Sequence, residues 1–538
     1  MRNRLIALAV LGFLTVLLAG CPQTQPPDFV LEPSVTGVQV HQGGSATAVL
    51  RIEPRGNFSG TVTISLKMQD GSDLPAGITY SPSTVDVSGS TAEVSLQIDV
   101  AASVPVGEYR TNLTATSGSI SHSVGFKITV VPPAGTLDES FGSGGVTVLN
   151  DLTQEQGEND FGYSLAFGDD GAIFVLGRSG DHLVVTKLDD KGQPVNDFAS
   201  VGVLLLADLR SGEDGRNLDL DRAILPLFGG DFLTAGYAYD ATNQDDLLLA
   251  MFDQDGNFVS SFGSGGIKTY DNLLYGGSGH ANERAFSLAP DAGGVWIGGM
   301  AFQDDAVKEQ ALVMKVDLSN PDSPVRAGFG GPGGSSEYAY SVQALTNGAF
   351  FGGATNDGGQ QGAWLRVDEN LADQGHGSLP DFRGGRVTSV AKDDQGRFLL
   401  AGYASNGSDL DIVVERTKPD GTLDTDFGNG GKAQFDAVGG SPGSDLAYSL
   451  TLDGQGNILV AGRTFVSGHG NDLVVLRLEP DGSLDPSFGN GGVFTYDGGN
   501  GDDGAFEVAL DGSGRPVVVG YSENAGGDYD MLALRLVP

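Results

Sequence analysis

Residues 445–493 read DLAYSLTLDGQGNILVAGRTFVSGHGNDLVVLRLEPDGSLDPSFGNGGV. An apolar run enters a D-x-x-G turn, a second run ends in Ala461-Gly462, and a third, LVVLRL, follows; the phrase LDPSFGNGG then leads into a fourth extended stretch, VFTYD. Each run is rich in Val, Leu, Ile and Phe and is bounded by Gly, Asp and Asn, as short strands joined by tight turns are. Seven copies of this unit run from about residue 137 to residue 538. Short-strand units recurring every ~40–60 residues predict a β-propeller or a solenoid, because one unit cannot bury both its faces alone. The stagger of the copies selects the propeller. The series opens on a fourth-strand phrase, LDESFGSGGVTVL at 137–149, and stops after a third strand, LALRLVP at 532–538. A spare fourth strand at one end completes a three-stranded unit at the other only in a ring. The expected fold is therefore all-β, with a closed seven-bladed β-propeller at 137–538 in which Val146–Leu149 pairs with Leu532–Leu536.

Three columns run through the copies. An aromatic recurs as Phe141, Phe198, Phe262, Phe329, Phe382, Phe427 and Phe488, and a glycine taken to end the second strand as Gly177, Gly236, Gly299, Gly353, Gly402, Gly462 and Gly520. A cation stands late in the third strand at Lys187, Lys315, Arg366, Arg416, Arg477 and Arg535, with Met251 breaking the series. Where EYAYS and RVTSV follow their Gly-Gly almost at once, little room is left for a fourth strand. The phrases LDESFGSGG, LDTDFGNGG and LDPSFGNGG resemble the L-D-x-x-F-G-x-G-G hallmark of the bacterial delta-60 repeat family; SSFGSGG is slightly further off and the other three passes are degenerate. The resemblance implies a propeller-like module of surface or secreted proteins and carries no activity over to any residue.

The front of the chain speaks to location. Arg2 and Arg4 precede LIALAVLGFLTVLL and then Leu18-Ala19-Gly20-Cys21. The run is short for a membrane span, so residues 1–20 are expected to be a cleaved signal peptide. Small residues directly before a cysteine resemble the bacterial lipobox, and Cys21 is the one cysteine of the chain. That resemblance implies lipidation of Cys21, which becomes the mature N-terminus; two or three acyl chains at about 0.8 kcal/mol per buried CH₂ make a lasting anchor. The expected location is the cell envelope, as an exported lipoprotein of the outer membrane or cell surface. Residues 21–27 form a Pro-rich tether. With one cysteine, the exported domains hold no intramolecular disulfide and depend on packing.

Residues 28–132 carry a second pattern. Alternating runs (VTGVQV, ATAVLRI, GTVTISLKM, EVSLQIDV, YRTNLTAT, HSVGFKITV) succeed one another at strand-and-turn spacing, which predicts an immunoglobulin-like β-sandwich. LPAGITYSP at 74–82 and VPVGEYR at 104–110 resemble phrases of bacterial immunoglobulin-like surface modules. Such a domain serves as a spacer or an adhesion module.

The chain's formal charge is −39, and residues 133–538 hold 60 acids against 23 bases. Nucleic acid and anionic surfaces are poor partners for such a molecule. A carboxylate stands just before the first strand of six copies, at Asp160, Asp221, Glu283, Glu337, Asp445 and Asp503, with Gly385 in the remaining one. Lining the axis, these would form a broken acidic ring at one mouth, able to hold calcium; the alternative is that each acid accepts backbone N–H bonds of its loop. No other cofactor is indicated. GGNGDDGAF at 498–506 fits a calcium nonapeptide once, without the stacked copies that motif needs. FDQDGNF at 252–258 lacks EF-hand ligands, and the D-x-x-G turns at Asp453–Gly456 and Asp511–Gly514 are hairpin chemistry. PDAGGVW at 290–296 resembles the Asp box of sialidases, itself a folding turn, with Ala289 where the box has serine.

Catalytic patterns are sparse. Gly439-Gly440-Ser441-Pro442-Gly443 satisfies G-x-S-x-G but lies in a glycine loop, whereas a nucleophile elbow joins a strand to a helix. His41, His122, His182, His280, His376 and His469 do not pair at metal-ligand spacing; His280 and His469 are expected on the same side as the acidic mouth. The expectation is a lipid-anchored surface protein holding a propeller on a sandwich stalk for binding or scaffolding of an extracellular or envelope partner. A surface enzyme acting on glycans or other extracellular substrates at the channel mouth is the alternative, and a purely structural envelope protein a third. Blade-specific Arg, His and carboxylates in the channel would favour the enzyme; a mouth of repeated columns would favour the binder.

Overall fold

The computed structural model describes residues 26–538 apart from 154–156, 209–222, 240–244, 275–280, 304–308, 330–335 and 357–358, so Cys21, Asp221 and His280 lie outside the described residues. The chain divides into two compact units, the first ending at Pro133 and the second spanning Ala134–Pro538. Both are all-β: the described helices are two single 3₁₀ turns, Phe198–Ser200 and Pro380–Phe382. Among the described residues no helix is long and apolar enough to cross a membrane.

The first unit has two sheets. One is ordered Asp28–Pro33, Ser45–Arg55, Ala92–Val100, Ile78–Ser81; the other Gly37–His41, Ile120–Val131, Gly107–Ser117, Ser59–Met68, Thr84–Ser88. Period-2 alternation turns Ala48, Leu50 and Ile52 of one sheet and Phe126, Ile128 and Val130 of the other into a single core around Phe29. Burying each large apolar side chain stabilises the unit by about 1.5–3 kcal/mol.

The second unit contains seven four-stranded antiparallel sheets. Their first strands are Asp160–Phe167, Ala223–Pro226, Ala281–Asp291, Glu337–Leu345, Arg386–Lys392, Asp445–Leu452 and Asp503–Leu510, here defining sheets one to seven. Sheets one to six use consecutive strands. Sheet seven takes Asp503–Leu510, Pro516–Glu523 and Tyr529–Arg535 from the end of the chain and Val146–Leu149 from its earlier part. The pairing predicted from the stagger is present, with Val146 opposite Leu534 and Val148 opposite Leu532.

Backbone geometry explains the repeat columns. A bulge interrupts the first two strands at Gly162/Ser164, Ala285/Ser287, Ala339/Ser341, Val387/Ser389, Ala447/Ser449 and Ala505/Glu507. The column glycine stands beside it: a Cβ on Gly462 would lie 1.8 Å from the Leu446 carbonyl oxygen. That glycine does not end its strand, as its position after an apolar run suggested; Ile458–Val466 continues past it. The residue after the bulge then links sheets. Ser164 Oγ accepts the Ile224 N–H (3.2 Å), Ser341 that of Val390 (3.0 Å), Ser389 that of Leu450 (3.1 Å) and Ser449 that of Val508 (3.3 Å). In sheet seven Glu507 Oε2 accepts the Leu165 N–H of sheet one at 2.7 Å.

The L-D-x-x-F-G-x-G-G phrase is a packing device. Nε of Arg535, Arg416 and Arg477 each donates to Asp138, Asp424 and Asp485 respectively at 2.8 Å, and the three guanidiniums lie over Phe141, Phe427 and Phe488 at 4.7–4.8 Å. Charge-assisted bonds and ring contact together fix the cation column against the aromatic column.

Two copies depart from this plan. Sheets three and four keep their fourth strands, Val325–Phe329 and Asp373–Leu379, although the sequence left little room for them. The strands run before the Phe-Gly-Gly rather than after it. Phe329 consequently sits inside a strand and is only half-buried, whereas Phe141, Phe382, Phe427 and Phe488 are fully buried.

Candidate functional site

The acid column is buried between sheets. Asp160, Glu283, Asp445 and Asp503 are at most 1% exposed, and Glu337 is half-buried. Asp160 Oδ2 accepts the Asp151 N–H (2.9 Å), Asp503 Oδ2 that of Gly498 (2.7 Å) and Glu283 Oε1 that of Leu273 (2.9 Å). Each of these carboxylates thus reaches back to accept an N–H of the preceding loop. The second strand adds a hydroxyl two residues after the column glycine. Thr464 donates to Asp445, Thr355 donates to Glu337 Oε1 at 2.9 Å, and Ser179 and Ser522 stand opposite Asp160 and Asp503. Gly385 replaces the acid because a Cβ there would stand 1.8 Å from the Tyr403 carbonyl oxygen. These residues are inter-sheet positions. Burial pushes Asp160, Asp445 and Asp503 up to about 6 and Glu283 up to about 7.

Three residues further along each first strand lies a row that the sequence reading missed. The bulge residues Tyr163, Phe286, Tyr340, Tyr448 and Phe506 are buried and pack in two groups, Tyr163 and Tyr448 on Phe506 (Tyr163–Phe506 centroids 5.1 Å apart) and Phe286 on Tyr340 (5.0 Å). Among them stand arginines. Arg178 reaches Asp181 at 3.5 Å, and Arg284 pairs with Asp245 at 2.6 Å over the Tyr237 ring. Arg386 and Arg463 have no carboxylate within ion-pair distance among the described residues. Arg386 lies 4.5 Å from the Tyr340 ring and 5.6 Å from the Tyr403 ring, and donates to Tyr340 Oη at 2.9 Å; Arg463 donates to Tyr521 Oη at 3.3 Å. Nε of each is buried with no hydrogen bond. Burial raises the Tyr521 hydroxyl pKa and Arg463 opposes the rise; burial likewise raises that of Tyr403, against Arg386. The row escaped notice because its arginines are divided between first strands (Arg284, Arg386) and second strands (Arg178, Arg463): Arg386 faces Tyr403, and Arg463 faces Leu446. Pairing the two strands before reading their columns would have exposed it.

A cavity of about 500 Å³ lies beside sheet four, lined in part by Glu337, Tyr338, Trp364, Asp373 and His376. His376 Nδ1 stands 2.6 Å from Asp373 Oδ2, and His469 Nδ1 stands 3.0 Å from Asp497 Oδ2. In the first unit, His41 bonds the Pro132 carbonyl and His122 bonds Asp28. Ser441 accepts the Ser467 N–H in its loop, with no helix following. Asp453 Oδ1 accepts the N–H groups of Gln455 and Asn457, the expected turn chemistry.

A family described as a β-propeller domain of unknown function (DUF5122) matches residues 396–427 and 456–488. Those segments carry the L-D-x-x-F-G phrases of sheets five and six. The second unit is a β-propeller-type repeat structure. A quinonprotein alcohol dehydrogenase-like protein from Bacteroides thetaiotaomicron is similar at 9% identity over 86% of this chain and 94% of that one, with a TM-score of 0.24. The Escherichia coli chaperone DraB is similar at 16% identity over 31% of this chain and 94% of its own, TM-score 0.17. A PapD-like domain of human CEP192 is similar at 14% identity over 22% of this chain and 99% of its own, TM-score 0.16. No curated protein matches the chain.

Proposed function

We propose that this is an exported lipoprotein, anchored through Cys21, whose first unit is an immunoglobulin-like sandwich stalk and whose second is a closed seven-bladed propeller that binds an extracellular ligand. Closure is supported by the Val146–Leu149 pairing, by the Glu507–Leu165 hydrogen bond, and by first strands that touch in order with the last meeting the first. The binding role is carried by one observation: Arg386 and Arg463 make no ion pair among the described residues and each keeps a buried Nε without a hydrogen bond, in a chain of formal charge −39. Guanidiniums in such a molecule find carboxylates readily, and ones held among tyrosines instead are placed to receive an oxyanion from outside. The net charge repels polyanions, so the fitting ligand is small and carries one carboxylate on a body that stacks on tyrosine. An acidic oligosaccharide meets that description.

Titration calorimetry of the mature chain with oligosaccharides bearing a single uronate residue and neutral ones of equal length tests this. Binding of the acidic set alone, lost in Arg386→Met and Arg463→Met, is expected. Equal binding of both sets, or binding unchanged in the variants, overturns it. The cavity holding Glu337, Asp373 and His376 favours a second reading, a glycan-cleaving enzyme, which product release in the same mixtures would reveal.

A further inference from the structure

Carboxylates converge at the junction between sheets six and seven. Asp472 lies near the start of the third strand of sheet six, Gly470–Leu478, Asp497 follows its fourth strand, and Asp503 opens sheet seven; one oxygen from each lies within 4.8 Å of the others. The same three positions recur between sheets two and three as Asp246, Asp271 and Glu283, again within 4.8 Å. The pattern extends to the junction of sheets seven and one, where the charges of Asp530 and Asp151 act on the buried Asp160. Recurrence places the cluster in the architecture and not in one loop.

Proximity of acids alone means little on a protein this acidic. The second observation is burial without satisfaction. Asp503 is 1% exposed and Asp472 7% exposed, and Oδ1 of each has no hydrogen bond. Asp503 uses its other oxygen to accept the Gly498 N–H. No Lys or Arg among the described residues pairs with any of the three; the neighbouring basic side chain is the imidazole of His469, on Asp497. Buried carboxylates with free lone pairs, facing like charges, are costly unless something positive joins them.

We propose that the sheet six–sheet seven junction is a calcium site held by Asp472, Asp497 and Asp503, with the Asp246, Asp271 and Glu283 junction as its counterpart. All donors are hard carboxylate oxygens and no thiol is present among the described residues, which selects calcium over transition metals. The ion ties one sheet to the next, so its effect is on the rigidity of the repeat array. The site is independent of the arginine–tyrosine row and stands or falls separately from ligand binding there.

Tyr496 supplies a reporter: its hydroxyl pKa is raised by burial and then by Asp503 and Asp497, which puts the ring beside the cluster. Terbium bound there accepts excitation energy from that tyrosine, and calcium displaces it. The mature chain is titrated with terbium and then calcium, alongside Asp472→Asn/Asp503→Asn and a charge-matched control, Asp86→Asn/Asp394→Asn. The wild type and control should show saturable tyrosine-sensitised emission reversed by calcium. The junction variant should lose at least one bound ion by equilibrium dialysis. In chelator that variant should melt above the wild type, since neutral amides relieve the repulsion, and calcium should raise the wild-type Tm beyond sodium chloride of matched ionic strength. Absence of saturable binding, equal stoichiometry in the junction variant, or a Tm rise reproduced by sodium chloride overturns the proposal.

Discussion

Asp138 accepts a hydrogen bond from Arg535 Nε at 2.8 Å across 397 residues of chain. Asp424–Arg416 and Asp485–Arg477 have the same geometry across eight residues each, so one local tie has become the join between distant segments. Burial would raise the Asp138 carboxyl, but bonds from Ser140 and the charge and bond of Arg535 hold it below its usual value. Its contribution is therefore present above about pH 4 and lost as pH falls further. Asp138→Asn should cost about 2–4 kcal/mol, because Arg535 is 3% exposed and loses its nearer counter-charge, keeping Asp511 at 4.0 Å. It should also open 134–150 to protease, which Asp424→Asn should not. Deleting 137–150 would leave Tyr529–Arg535 as a bare edge and make the chain aggregation-prone. A deletion variant that melts like the parent would remove the case for a closed ring.

Glu507 gives a prediction of opposite sign. It is partly buried where it bonds Ser164 and the Leu165 N–H, and burial pushes it up to about 7 despite them. A carboxyl raised in the folded state binds protons that the unfolded chain has released. Its stabilisation is full below about pH 4 and lost as pH rises through about 7. Glu415, also raised to about 7 by burial and by Asp381, adds to the same trend. Glu507→Gln keeps the acceptor for Leu165 and removes the titration. The variant should melt higher than wild type at about pH 8, and the gap should close or reverse at about pH 5. Parallel curves at the two pH values would show that Glu507 is not strained by its charge.

The repeat, the fourth-strand exchange and the acid column were legible because each recurs at fixed spacing. What stayed hidden was pairwise. Arg386 and Arg463 belong to one row only once Arg386 is set against Tyr403 and Arg463 against Leu446, and a bulge shifts that register. The acids were visible, but their direction was not: Asp503 points to Asp472 and Asp497 of the preceding sheet because the strand's face turns that way. The fourth strands of sheets three and four were missed because DQGHGSL and VRAGF hold too few β-branched residues to read as strands; pairing to Gln361–Val367 and Gln310–Asp317 overrides that propensity.

Cys21 carries the anchoring proposal. Cys21→Ser should move the protein from the membrane fraction to the soluble one and remove the acyl mass from the N-terminal peptide. Unchanged detergent partitioning would leave no support for a lipid anchor.

The glycine beneath each aromatic offers the sharpest test of the repeat's packing. Gly482 has φ +91°, and a Cβ there would lie 2.8 Å from the Phe427 ring. Gly491 has φ +66° with nothing within 4 Å of its hypothetical Cβ. Alanine at Gly491 should cost about 1 kcal/mol, the backbone term alone. Alanine at Gly482 adds overpacking against a ring pinned by Arg416, so roughly 2–4 kcal/mol is expected. The difference should shrink in a Phe427→Leu background, where the ring has gone, and a double-mutant cycle on Tm or denaturant midpoint reads it directly. Equal costs at the two glycines, or strict additivity with Phe427→Leu, would mean that the turn and the ring do not support one another, and the aromatic column would need another explanation.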